Sequence, residues 1–144
     1  MEKVLVSACL IGNNCKYNGG NNKKEKIIEY LKDKEIILVC PEVMGGMDVP
    51  RLKSEIVVNE KDLKVINEKG KNVTSFFVKG ANIALRRAIA NGVKVAILKE
   101  KSPSCGYKKV YDGNFSGTKV DGSGVFTRML LEKGIKILTE EDFE

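Results

Sequence analysis

The stretch Thr74-Ser75-Phe76-Phe77-Val78-Lys79-Gly80-Ala81-Asn82-Ile83-Ala84-Leu85-Arg86-Arg87-Ala88-Ile89-Ala90-Asn91-Gly92-Val93-Lys94-Val95-Ala96-Ile97-Leu98 decides the fold class. Phe77, Ala81, Ala84, Leu85 and Ala88 recur at three- and four-residue steps, which puts them on one face of a helix from Thr74 to Asn91. Thr74 or Ser75 can cap its start, and Gly92 stands where a left-handed residue ends it. The apolar run Val93 to Leu98 follows at once and reads as a strand, and the continuous run Ile36 to Val39 reads as one covered on both faces. A helix feeding such a strand is the unit from which parallel α/β sheets are built.

The same alternation extends outward. Val4 to Cys9, Ile36 to Val39 and Ile135 to Leu138 read as further strands, and Glu55 to Glu68 as a strand or hairpin edge. Lys23 to Lys32 reads as a helix with Ile27, Ile28 and Leu31 inward, and Ser123 to Lys133 as another with Phe126, Met129 and Leu130 inward. Gly134 stops the latter. Leu10 to Asn22, Val43 to Lys53 and Lys99 to Gly124, rich in Gly, Asn and Pro, read as loops. The pattern predicts one domain over residues 1–144, a three-layer Rossmann-like α/β fold with a mainly parallel sheet and helices on both faces. Ligands of such sheets bind beyond the carboxyl ends of the strands.

Composition narrows the chemistry. With 144 residues, 42% hydrophobic and 31% charged, the chain is long enough for one sizeable core. No apolar run approaches the roughly 20 residues of a membrane span, and no signal-like segment opens the chain, so a cytoplasmic protein is expected. Histidine is absent, which excludes Ser-His-Asp and Cys-His catalysis and imidazole metal sites. The net charge of +6 is spread among lysines that alternate with glutamates, a solvated surface with a weak attraction for anions. Aromatic residues make up only 6% and do not interleave with a basic patch, so nucleic acid is not the expected partner.

Four cysteines remain to be placed. Cys9, Cys40 and Cys105 each follow one of the expected strands, so parallel neighbours would bring three sulfurs to one rim of the sheet. They are either buried apolar thiols or ligands of a metal site that the fold assembles. Thiolates without imidazole suit iron or zinc, and Cys15 is within reach as a fourth ligand. Glu42, Arg51, Ser102 and Ser104 are polar groups near these cysteines in sequence, and Gly12, Gly19-Gly20 and Gly45-Gly46 offer backbone amides for an anion.

Three segments together are distinctive: Ser7-Ala8-Cys9-Leu10-Ile11-Gly12 with Lys16-Tyr17-Asn18-Gly19, Cys40-Pro41-Glu42-Val43-Met44-Gly45-Gly46 with Pro50-Arg51, and Leu98-Lys99-Glu100-Lys101-Ser102-Pro103-Ser104-Cys105-Gly106. They resemble the DUF523 family, whose characterised members are thiouracil desulfurases, and the likeness extends over essentially the whole chain. The resemblance implies a [4Fe-4S] cluster held by three cysteines, Cys9, Cys40 and Cys105, with one iron left to take the sulfur of a thiolated uracil. It implies Glu42 and Ser102 as the catalytic pair, a small thiopyrimidine as substrate, and uracil and hydrosulfide as products without net electron transfer. Lys16-Tyr17-Asn18 stands where the family often has Arg-Tyr-Asp. The alternatives are a non-catalytic iron–sulfur domain closed by Cys15, a zinc site, and an RNA-associated sulfur-handling protein.

Overall fold

A computed structural model describes residues 1–58 and 63–144. Along the chain run β1 (Lys3–Ser7), α1 (Glu25–Tyr30), β2 (Glu35–Val39), α2 (Pro41–Met44), β3 (Ser54–Val58), β4 (Leu63–Asn67), α3 (Thr74–Ala90), β5 (Val95–Leu98), β6 (Lys109–Tyr111), β7 (Lys119–Asp121), α4 (Val125–Glu132) and β8 (Lys136–Thr139). The main sheet has the order β2-β1-β5-β8 and every pair is parallel. Val4 sits opposite Ile36 on one side and Val95 on the other.

Strand alternation sends side chains to opposite faces. Val4, Val6 and Ile97 pack with Leu10, Ile27 and Leu31 on the α1 side. Leu5, Ala96 and Leu98 pack on the other side against Phe77, Ala81, Ala84 and Ala88 of α3 and Phe126 and Leu130 of α4. Helices thus cover both faces, as the alternation predicts. Ala81, Ala84 and Ala88 of α3 are fully buried and let the helix lie close to the sheet, while Phe77, also fully buried, contributes about 2–3 kcal/mol by leaving water. No helix among the described residues is long and apolar enough to cross a membrane.

Local structure differs from the expectation at several points. The first strand stops at Ser7, and Cys9 lies in a 3-10 turn, Ala8–Ile11, closed by Gly12 at φ +107°. The first helix is shorter than expected and runs into a second 3-10 turn, Leu31–Asp33. Neither Thr74 nor Ser75 caps α3: Val73 is the N-cap, without a side-chain bond. Thr74 Oγ1 instead donates to Asn72 Oδ1 at 2.6 Å and accepts from Val65 N at 2.9 Å, fastening α3 to β4. The Glu55–Glu68 segment is the antiparallel pair β3–β4, with residues 59–62 outside the described residues. Part of the Lys99–Gly124 stretch is not loop, because Lys109–Tyr111 and Lys119–Asp121 pair as an antiparallel ribbon.

One packing detail places the second cysteine. α2 starts directly after Cys40, with Pro41 at a first-turn position that needs no N–H. It lies backbone to backbone on α3, because a Cβ on Gly80 would overlap the Pro41 carbonyl and one on Gly45 the Phe76 carbonyl. Cys40-Pro41-Glu42 is thereby held against the longest helix of the fold.

Candidate active site

The chain leaves β1 for β2 on one side and reaches β5, the neighbour on the other side, only later. The carboxyl ends of β1 and β5 therefore form a topological switch point, where such sheets bind ligands. A cavity of about 420 Å³ opens there, and Cys9, Cys40, Cys105, Glu42 and Ser102 all line it. Cys15 and Arg51 line it too. Gly12, Gly19, Gly20, Gly45 and Gly46 do not, so the expectation that they form amide nests at the site is not met.

All four cysteines are free thiols. Burial pushes the Cys9 thiol up, and Asn22 Nδ2, 3.5 Å from its sulfur, partly offsets this. Cys105 is pushed up to about 12 by burial, against hydrogen bonds from Ser7 and Ser104. Cys9, Cys40 and Cys105 also oppose one another's ionisation, so the three sulfurs share one electrostatic neighbourhood. Cys15 and Cys40 are coupled: the Cys15 side chain draws the Cys40 thiol down, and Cys40 pushes the Cys15 thiol up. Cys40 Sγ also lies 3.9 Å from the Cys15 carbonyl oxygen, a contact that is a weak bond only while Cys40 keeps its proton.

Backbone hydrogen bonds fix the loop that carries Cys105. Glu100 is 1% exposed, and its Oε1 accepts from Tyr107 N at 2.6 Å, Lys108 N at 3.0 Å, and Lys101 N and Lys109 N at 3.2 Å. A buried carboxylate is tolerated here because amide donors replace its water. At the far end of the loop the first N–H groups of α4, which have no partner within the helix, find carbonyls in the loop. Val125 N donates to Pro103 O at 2.9 Å, and Phe126 N to Ser104 O at 2.9 Å. Gly124 lies so close to the Ser104 backbone that any side chain would collide with it.

Two loops meet over Glu42. Its Oε1 pairs with Arg51 Nη2 at 3.3 Å, and its Oε2 accepts from Ser104 Oγ at 2.9 Å. Arg51 also donates to the Cys15 carbonyl at 3.0 Å, while its own N–H bonds the Tyr17 carbonyl at 2.7 Å. The carboxylate, the Cys15–Tyr17 loop and the segment after the cis Val49–Pro50 bond are thus joined through one guanidinium. Ser102 reaches Glu42 only through Ser104, at 3.0 Å between the two hydroxyl oxygens. The sequence assigns Glu100 no role and offers Ser104, with Ser102, as a polar group beside Cys105 that a proton-transfer site could use. Its one usable signal was an acidic residue amid lysines at the end of a buried strand.

The donor set suits a thiolate-bound cluster. Four thiols line one cavity, Asn22 Nδ2 lies within reach of the Cys9 sulfur, and Lys99 lowers the cost of charging Cys9. Among the described residues no three His, Cys, Asp or Glu side chains form a group that could hold a single metal ion. In a cubane each thiolate binds a different iron, so separate thiols lining one cavity are the donors such a group needs.

A parallel α/β sheet with an imidazole-free, thiol-lined cleft at its switch point, beside a clamped carboxylate, defines a class of α/β proteins able to hold a thiolate-bound iron–sulfur cluster. The family model described as 2-thiouracil desulfurase matches residues 4–142, and the chain belongs to that family. It is 37% identical over 145 residues, covering 96% of each chain, to the Bacillus subtilis (strain 168) protein YbbK, which is described as uncharacterized. It also resembles the solved structure of the [4Fe-4S]-dependent thiouracil desulfidase TudS (DUF523Vcz), with a TM-score of 0.89 and 36% identity over 99% of this chain and 93% of that one.

Proposed function

We propose that this chain, as one domain over residues 1–144, desulfurates a thiolated uracil to uracil and hydrosulfide. The observation that carries the reading is the convergence of Cys9, Cys40, Cys105 and Glu42 on one cavity, in a fold that matches a [4Fe-4S]-dependent thiouracil desulfidase. Cys9, Cys40 and Cys105 would hold a [4Fe-4S] cluster, which supplies when bound an iron without a protein ligand, a Lewis acid for a thiocarbonyl sulfur.

The protein's own groups then handle water and protons. A thiocarbonyl plus water gives a carbonyl plus hydrogen sulfide, with no change in the electron count. Glu42, clamped by Arg51, is the base that takes a proton from the attacking water and returns it as the C–S bond breaks. Ser102 Oγ lines the site and accepts from Ser104 N and Cys105 N, both at 3.1 Å, so its position is set by the loop that carries Cys105. The cavity lies in the range that encloses a small molecule, which favours a free thiopyrimidine over a polynucleotide. Four free thiols suit a reducing, cytoplasmic setting.

The test is anaerobic reconstitution with iron and sulfide, followed by incubation with 2-thiouracil and 4-thiouracil. The reading requires uracil and sulfide in equal amounts without added reductant. A fully loaded protein that leaves both compounds intact overturns it.

A further inference from the structure

We infer that Ser104 is the positioning residue of the acid–base pair: one buried hydroxyl holds the Glu42 carboxylate and aims the Ser102 hydroxyl. The inference rests on the desulfurase reading above and assigns to that site a residue outside the Glu42–Ser102 pair.

The hydrogen-bond polarity carries the argument. Ser104 is 1% exposed, so it acts through its neighbours instead of on a ligand. Its single proton has two acceptors in reach, Glu42 Oε2 at 2.9 Å and Cys105 Sγ at 3.7 Å, and the nearer, charged oxygen is preferred. Ser102 Oγ already accepts from two backbone N–H groups, Ser104 N and Cys105 N, which fills both of its acceptor positions. Its own proton is therefore the one shared across the 3.0 Å contact with Ser104 Oγ. The chain runs in one direction, Ser102 to Ser104 to Glu42.

The frame around Ser104 keeps that direction. Its carbonyl accepts from Phe126 N at 2.9 Å and Thr127 N at 3.2 Å, so the residue is fixed to the start of α4. Arg51 holds the other oxygen of Glu42, leaving the carboxylate two fixed points of attachment. Removing only the Ser104 hydroxyl spares every backbone bond of the loop. It deprives Glu42 Oε2 of its donor and the Ser102 proton of its acceptor, and both groups lose their aim.

The experiment is a kinetic double-mutant cycle on iron-normalised, anaerobically reconstituted protein with thiouracil, comparing the parent, Ser104→Ala, Glu42→Gln and the double variant. Ser104→Ala is expected to lower kcat between about tenfold and a hundredfold, the scale of a small misplacement at a reacting centre, with KM, iron content and melting temperature near parental values. In the Glu42→Gln background the same change is expected to cost almost nothing further, because its effect passes through that carboxylate. Should Ser104→Ala fail to fold, Ser104→Cys, close in size and a weaker donor, takes its place with the same expectation. Parental turnover by the Ser104 variant, or losses that simply multiply in the double variant, would overturn the inference while leaving the desulfurase reading in place. A loaded parent without turnover overturns that reading and the role built on it.

Discussion

Arg51 and Glu42, nine residues apart and on opposite sides of a cis proline bond, form an ion pair at 3.3 Å with side chains only 7% and 15% exposed. The arginine brings two loops together as well as neutralising a charge, since it also bonds the Cys15 and Asp48 carbonyls.

Arg51→Ala leaves a largely buried carboxylate with one donor and frees the Cys15 loop. The expected loss is about 2–4 kcal/mol of stability, measured by urea denaturation of the metal-free protein. Arg51→Lys is expected to recover only part of it, because an ammonium cannot span Glu42 and two carbonyls as the planar fork does. Equal stability of parent and Arg51→Ala would show that the pair is only incidental.

Glu100 has a quieter task. Glu100→Gln turns an acceptor into a donor facing amide N–H groups, so a loss of about 2–3 kcal/mol is expected. Because those amides set the loop that bears Cys105, iron loading should fall in the same variant, as read by iron and sulfide quantification. Normal loading with lowered stability would separate the loop from the ligand site.

Gly80→Ala tests the α2–α3 contact. The added methyl meets the Pro41 carbonyl, and the resulting shift displaces Cys40 and Glu42 together. Overpacking of this kind costs about 1–3 kcal/mol, and a lower melting temperature should accompany reduced iron content. An unchanged melting temperature would mean that the two backbones separate freely.

The four cysteines should divide three to one. Replacing Cys9, Cys40 or Cys105 with alanine is expected to prevent full cluster loading, whereas Cys15→Ala should keep its iron, because Cys15 lies outside the Cys9, Cys40 and Cys105 set. Iron and sulfide counts on the four variants decide it. Loss of iron in Cys15→Ala equal to that of the others would make it a ligand and favour a closed, non-catalytic centre.

The elements with strong periodicity were legible in the chain. Ala81, Ala84 and Ala88 marked α3, and the apolar runs at Leu5, Ile37 and Ile97 marked three neighbouring parallel strands with cysteines beyond their carboxyl ends. The ribbon formed by Lys109–Tyr111 and Lys119–Asp121 was not, because three-residue strands rich in charge carry no apolar period. Glu100 was hidden for another reason: its partners are backbone amides seven to nine residues away, which no side-chain pattern records. Ser102 and Ser104 look alike in sequence, and only the approach of Glu42 from a distant loop distinguishes the hydroxyl that touches it. The helix cap was misplaced because Thr74 spends its hydroxyl on Asn72 and β4.

The most direct measurement is the iron-normalised steady-state rate of Glu42→Gln on thiouracil. The amide keeps the shape of the side chain and removes its capacity to take a proton; it weakens the pair with Arg51 and so lowers stability, while cluster content, set by the cysteines, should stay near parental. Turnover should fall by a factor on the order of 10² or more, the usual scale for a positioned acid or base. A fully loaded Glu42→Gln protein that turns over at the parental rate would contradict the account and remove this carboxylate from the reaction.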